Sequence, residues 1–107
     1  MTNLANQKVL SHEEMVALKS EEIQKYLSEL KEGWVLDGSK ITKEFKFEDF
    51  VKAMDFVNKV AGIAEEKGHH PDIAIHYNKV EITLWSHLSN GLSIIDFIVA
   101  ANIDTLL

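Results

Sequence analysis

Residues 68–87, Gly68-His69-His70-Pro71-Asp72-Ile73-Ala74-Ile75-His76-Tyr77-Asn78-Lys79-Val80-Glu81-Ile82-Thr83-Leu84-Trp85-Ser86-His87, read as a helix stop, a stiff turn and two strands. Gly68 takes the left-handed conformation at no steric cost and so suits a helix end. Pro71 biases His70 toward extended backbone. Ile73, Ile75 and Tyr77 then alternate with Ala74 and His76, and Val80, Ile82 and Leu84 alternate with Glu81, Thr83, Trp85 and His87. Period-two alternation marks half-buried strands. Asn78-Lys79 is the expected tight connection between them.

Upstream, Phe50, Ala53, Met54, Val57, Val60, Ala61 and Ala64 recur at steps of three and four, which predicts a helix from about Glu48 to Lys67. Before it, Trp34-Val35-Leu36 enters an Asp37-Gly38 turn, and Ile41, Phe45 and Phe47 alternate with Thr42, Glu44 and Lys46. That pattern predicts a first hairpin. A capping box at Ser11-His12-Glu13-Glu14 and a second start at Ser20-Glu21-Glu22 open an N-terminal helix, with Ile23, Tyr26, Leu27 and Leu30 as its inner stripe and Gly33 as its stop. Downstream, Ser93-Ile94-Ile95-Asp96 opens a last helix running to Leu107, apolar nearly all round. Such a helix must be buried on more than one side. One small sheet does not suffice, so a second subunit is expected to cover it. The fold class is α+β: a four-stranded antiparallel sheet with helices on one face, in the order α-β-β-α-β-β-α.

The chain has 107 residues, 46% hydrophobic and 26% charged, which suits one domain spanning 1–107. It contains no cysteine, so neither a disulfide framework nor a thiolate metal site can form. Its formal net charge is −6, from 11 basic and 17 acidic residues. Nucleic-acid affinity leans on phosphate neutralisation by Lys and Arg, so direct nucleic-acid binding is not expected. The N-terminus lacks a secretory pattern, and no apolar run reaches the roughly 18 residues of a membrane span. A soluble, cytoplasmic protein is expected, with no membrane partner.

His69, His70 and His87 are the candidates for chemistry, although a His-His-Pro turn by itself is more often a polar loop and His87 alone could be an exposed strand residue. If the last two strands form a hairpin, the start of one lies beside the end of the other, so the three imidazoles come within reach. Glu65 lies one helical turn before His69 and can face the same site. A carboxylate or a helix C-terminus near an imidazole favours its charged form. Histidine titrates near neutrality and serves as acid or base. Asp96 already has a structural explanation as the capping-box acid. A zinc site built from Glu65, His69 and His87 is the rival reading, against which adjacent histidines chelate a single ion poorly.

The run Glu65, His69-His70-Pro71, Tyr77, His87, Asp96 resembles the signature of the pterin-4a-carbinolamine dehydratase family. Gly33-Trp34, Phe45-Lys46-Phe47, Asp49-Phe50, Tyr77-Asn78-Lys79-Val80 and Gly91-Leu92-Ser93 extend the similarity from about Ser11 to the C-terminus. The resemblance implies a hydro-lyase that removes water from 4a-hydroxytetrahydropterin, giving the quinonoid dihydropterin in the recycling of the cofactor of aromatic amino acid hydroxylases. It implies no metal or organic cofactor. His69 and His87 would transfer protons, His70 would contact substrate and Glu65 would orient the histidines. Gly68, Trp85, Ser86, His87 and Leu88 would line the pterin site, with Trp34 closing one side. Vertebrate members have Asp where Gly68 stands and Glu where Leu88 stands. The resemblance also implies a homo-oligomer, dimer or tetramer. The alternative it carries is a non-catalytic dimerisation cofactor or protein-binding module on the same fold.

Overall fold

The computed structural model describes residues 4–6, 17–86 and 91–107. Its elements run α1 (Ser20–Glu29), β1 (Val35–Asp37), β2 (Lys40–Lys46), α2 (Phe50–Lys67), β3 (Asp72–His76), β4 (Lys79–Leu84) and α3 (Ile94–Asp104), preceded by a short 3-10 turn at Leu4–Asn6. The sheet is antiparallel throughout, in the order β1-β2-β4-β3. This is the α+β class expected from the alternation.

Register follows from which side chains must be dry. Ile41 lies opposite Leu84, and Phe45 opposite Val80, while Ile73 pairs with Ile82. Ile41, Val80, Ile82 and Leu84 are fully buried. Burying each such aliphatic side chain contributes about 1.5–3 kcal/mol, and a one-residue slip would turn the whole set to solvent. The alternate residues Thr42, Glu44, Glu81 and Thr83 occupy the other face, where the Thr42 and Thr83 hydroxyls meet at 3.1 Å.

Several local boundaries differ from the sequence reading. Asn78 is in the last hairpin turn as expected, but the two linking residues are Tyr77 and Asn78, since His76 pairs with Lys79. Tyr77 adopts φ 55°, a conformation the strand reading did not anticipate. The Asn78 amide donates to the Phe47 carbonyl at 2.9 Å and Phe47 N–H donates to the Asn78 carbonyl at 2.8 Å, which pins the turn to the end of β2. α1 is capped one residue earlier than expected, with Lys19 N–H donating to Glu22 Oε1 at 3.0 Å. The Ser11 capping box lies outside the described residues. Gly33 is not the stop of α1, whose C-cap is Leu30. It takes φ 114° where the Lys43 side chain passes, and a Cβ there would sit 2.9 Å from Lys43 Cε.

α2 begins at Phe50, with the Asp49 carboxylate capping Lys52 N–H at 2.9 Å. Its buried residues are Ala53, Phe56, Val60 and Ala64. Phe56, absent from the expected stripe, packs against Phe45 and Phe47 with ring centroids 4.7 and 4.9 Å away. Phe50 and Ala61, both expected on the inner stripe, are exposed.

α3 is the centre of the core. Ile95, Phe97, Ile98, Val99, Ala100 and Ile103 are buried within this one chain. The expectation that a second subunit must cover α3 is therefore corrected. The sheet takes one side, α2 packs alongside, Tyr26 of α1 stacks near Phe97 at 5.5 Å, and the 3-10 turn adds Leu4. Asn102 holds that turn by donating to the Ala5 carbonyl at 3.0 Å. Among the described residues, no helix is long and apolar enough to cross a membrane.

Candidate active site

Gly68 ends α2 in the left-handed conformation, φ 66°, and its N–H and that of His69 both donate to the Ala64 carbonyl. This cap swings the chain off the helix and toward the sheet. Asp72 at the start of β3 pairs with Thr83 of β4, so the His69-His70-Pro71 turn lies alongside the end of β4. The third histidine of the expected set, His87, lies outside the described residues, as does Leu88.

His69 and His70 face different partners. The His69 ring, 17% exposed, places Nε2 2.6 Å from Oδ1 of Asp96, a carboxylate with no exposure at all. Asp96 Oδ2 accepts from Ser86 Oγ at 2.7 Å and from Ser93 N–H at 3.0 Å. Because the single Ser86 hydroxyl proton goes to Asp96, the 2.8 Å contact between Ser86 and Ser93 hydroxyls has Ser93 as donor. Every member of this buried network has its partner, as low-dielectric surroundings demand.

Glu65 does not meet His69, as its spacing suggested. It pairs with His70, Oε2 to Nε2 at 2.5 Å, and both side chains are open to water, 78% and 63% exposed. The physical reason is the glycine cap: once the chain leaves α2 at Gly68, one-turn spacing no longer holds, and His69 turns inward to α3. The acid that orients His69 is Asp96, which local spacing explained as a helix cap and which the family signature includes without giving it a role. Its capping role is real, and the same carboxylate also reaches His69 across 27 positions.

Ser86, expected against the pterin, turns its hydroxyl inward and is 5% exposed, so its side chain serves Asp96. Ser86 forms an antiparallel bridge with Gly91. Trp85 lies partly buried, its indole N–H donating to Asp72 at 2.9 Å with the Lys40 ammonium 4.6 Å above the ring. Trp34 does not join this group. Its indole N–H donates to both oxygens of Asp104, at 3.1 and 3.0 Å, eight residues along α3 from Asp96 and so roughly 12 Å away down the helix. Trp34 is a buried residue bonded to Asp104, at a distance from the His69–Asp96 pair.

Residues 16–106 match the family model described as pterin 4 alpha carbinolamine dehydratase. The chain belongs to that family. A protein of Nostoc sp. that carries the provisional name pterin-4-alpha-carbinolamine dehydratase is 52% identical over 86 residues, 80% of this chain and 91% of the relative. A crystal structure of a transcriptional coactivator/pterin dehydratase from Brucella melitensis superposes with a TM-score of 0.79 at 36% identity, covering 84% of this chain and 97% of that one. A pterin dehydratase-like protein described as a RuBisCO assembly factor in the alpha-carboxysome matches with a TM-score of 0.59 at 28% identity, covering 69% of this chain and 88% of that one. The chain is thus similar both to proteins described as dehydratases and to one described as an assembly factor.

Proposed function

We propose that this chain dehydrates a 4a-hydroxytetrahydropterin to the quinonoid dihydropterin, releasing water without metal or organic cofactor. The observation that carries this reading is the His69–Asp96 pair: a partly exposed imidazole held at 2.6 Å by a fully buried, fully satisfied carboxylate. A surface histidine in a polar turn has no need of such a partner. The reaction asks for an acid that protonates the departing hydroxyl and a base that takes the proton lost with it. Imidazoles can do either near neutral pH. In this reading His69 and His87 are the proton-transfer pair, and His70, held by Glu65, contacts the substrate. Gly68, Trp85, the backbone of Ser86, and Leu88 line the pterin.

A second reading is a protein-binding module without catalysis. The coactivator and assembly-factor roles by which the Brucella and carboxysome relatives are described favour it, together with the apolar residues Phe50 and Val51 that α2 leaves exposed. Rates of 4a-hydroxypterin dehydration for wild type, His69→Ala and His87→Ala separate the two. Removal of a positioned acid or base costs about 10²- to 10⁴-fold, which is the expected loss in each variant. Wild-type rates in both variants would transfer the case to the binding module. A cytoplasmic location and a homo-oligomer belong to the same proposal, the oligomer resting on the exposed flank of α2 and not on α3.

A further inference from the structure

The buried carboxylate of Asp96 determines more than the direction of the His69 ring. Its Oδ2 faces the Ser93 backbone N–H at 3.0 Å, a group that can only donate, and the Ser86 hydroxyl at 2.7 Å. Two donors on Oδ2 leave it no proton of its own, and a carboxyl group, a stronger acid than an imidazolium, loses its proton before the ring does. The other oxygen, Oδ1, then has acceptor capacity alone and faces His69 Nε2 at 2.6 Å. A short contact between an acceptor and a ring nitrogen places the proton on that nitrogen.

We infer that Asp96 is a positioning residue that holds neutral His69 as the Nε2–H tautomer, so that Nδ1 is the nitrogen presented to substrate. The assignment gives His69 a polarity. Neutral, it takes a proton through Nδ1; charged, it returns one from the same atom, with Asp96 stabilising the imidazolium at its back. Ser86, bound to the same carboxylate, directly precedes His87 in the chain, so Asp96 also anchors the backbone leading to the second proposed proton-transfer group. The kinetic consequence rests on the proposed dehydration, whereas the tautomer does not.

The test is the long-range proton–nitrogen spectrum of the histidine rings in the ¹⁵N-labelled full chain. It is recorded in alkaline solution where the ring is neutral, with His69 identified by the signal lost in His69→Gln. Wild type is expected to show Nε2–H. In Asp96→Asn the Ser93 N–H requires the amide oxygen, so the amide NH₂ turns toward His69. Nε2 must then accept, which drives the proton to Nδ1. The isosteric variant is expected to show the switched tautomer and to lose about 10²-fold or more in kcat, as other enzymes do when an orienting carboxylate becomes an amide. An Nδ1–H signal in wild type overturns the inference even where Asp96→Asn fails to fold, and so does a folded Asp96→Asn that keeps Nε2–H. Wild type with Nε2–H but no dehydration upholds the tautomer and removes the proposed reaction alone.

Discussion

Asp104, two turns beyond Asp96 on α3, holds side chains together without any histidine. Its carboxylate, nearly buried, accepts from the Trp34 indole, from the Lys43 ammonium at 2.9 Å and from Lys31 N–H at 3.1 Å. Removing it strands a part-buried cation and a buried indole donor, so Asp104→Ala is expected to cost about 3 kcal/mol in urea unfolding. Trp34→Phe removes one neutral donor and leaves the acid with two others. A loss of about 1 kcal/mol is expected, with KM for the pterin unchanged. A raised KM in Trp34→Phe would return that indole to the substrate site. The contrast between the two acids explains what single side chains disclosed. Asp96 was legible as a cap because its contact with Ser93 spans three positions, but its bond to His69 spans 27, and no local pattern encodes that. Glu65 meets a histidine of the expected set, but His70 and not His69, because one-turn spacing ends where Gly68 ends the helix.

Helix α2 positions the site through its last residue. Gly68 sits at φ 66° with nothing near the position a Cβ would take, so the cost of a side chain there is conformational and not steric. Gly68→Ala is expected to lower stability by about 1 kcal/mol, because an L-residue in the left-handed region is strained by that order. Gly68→Asn should cost less, since Asn tolerates the conformation, and the ranking of midpoints in urea checks it. Equal midpoints for Ala and Gly would mean the cap relaxes. The helix itself was legible from its spacing, but its phase was not. Its apolar arc is wider than the core requires, so Phe50, Met54, Val57 and Ala61 looked as good as the residues that face inward. The sequence pattern contains both stripes, and only packing against Phe45 and Phe47 selects Phe56 over Phe50.

Both hairpins were readable because alternation, Gly38 and Asn78 are local signals, although the second link proved to be Tyr77-Asn78 and not Asn78-Lys79, whereas the covering of α3 was not readable. Hydrophobicity all round a helix says that every side must be dry, but not whose atoms make it so. Here α1, α2, the sheet and Leu4 do this inside one chain. The proposed self-association therefore rests on α2, where Phe50 is 48% exposed and aligned with Met54, Val57 and Ala61 at steps of four, three and four. A stripe of that kind exposes more apolar surface than α2 needs for its own core, and pairing with a second copy would remove it from water. Light scattering at micromolar concentration is expected to show an oligomer for wild type. Phe50→Glu with Ala61→Glu should reduce its mass while leaving the far-UV spectrum intact, because neither residue is in the core. A wild-type monomer would end the proposal of self-association, and an oligomer indifferent to both charges would place its seam away from α2.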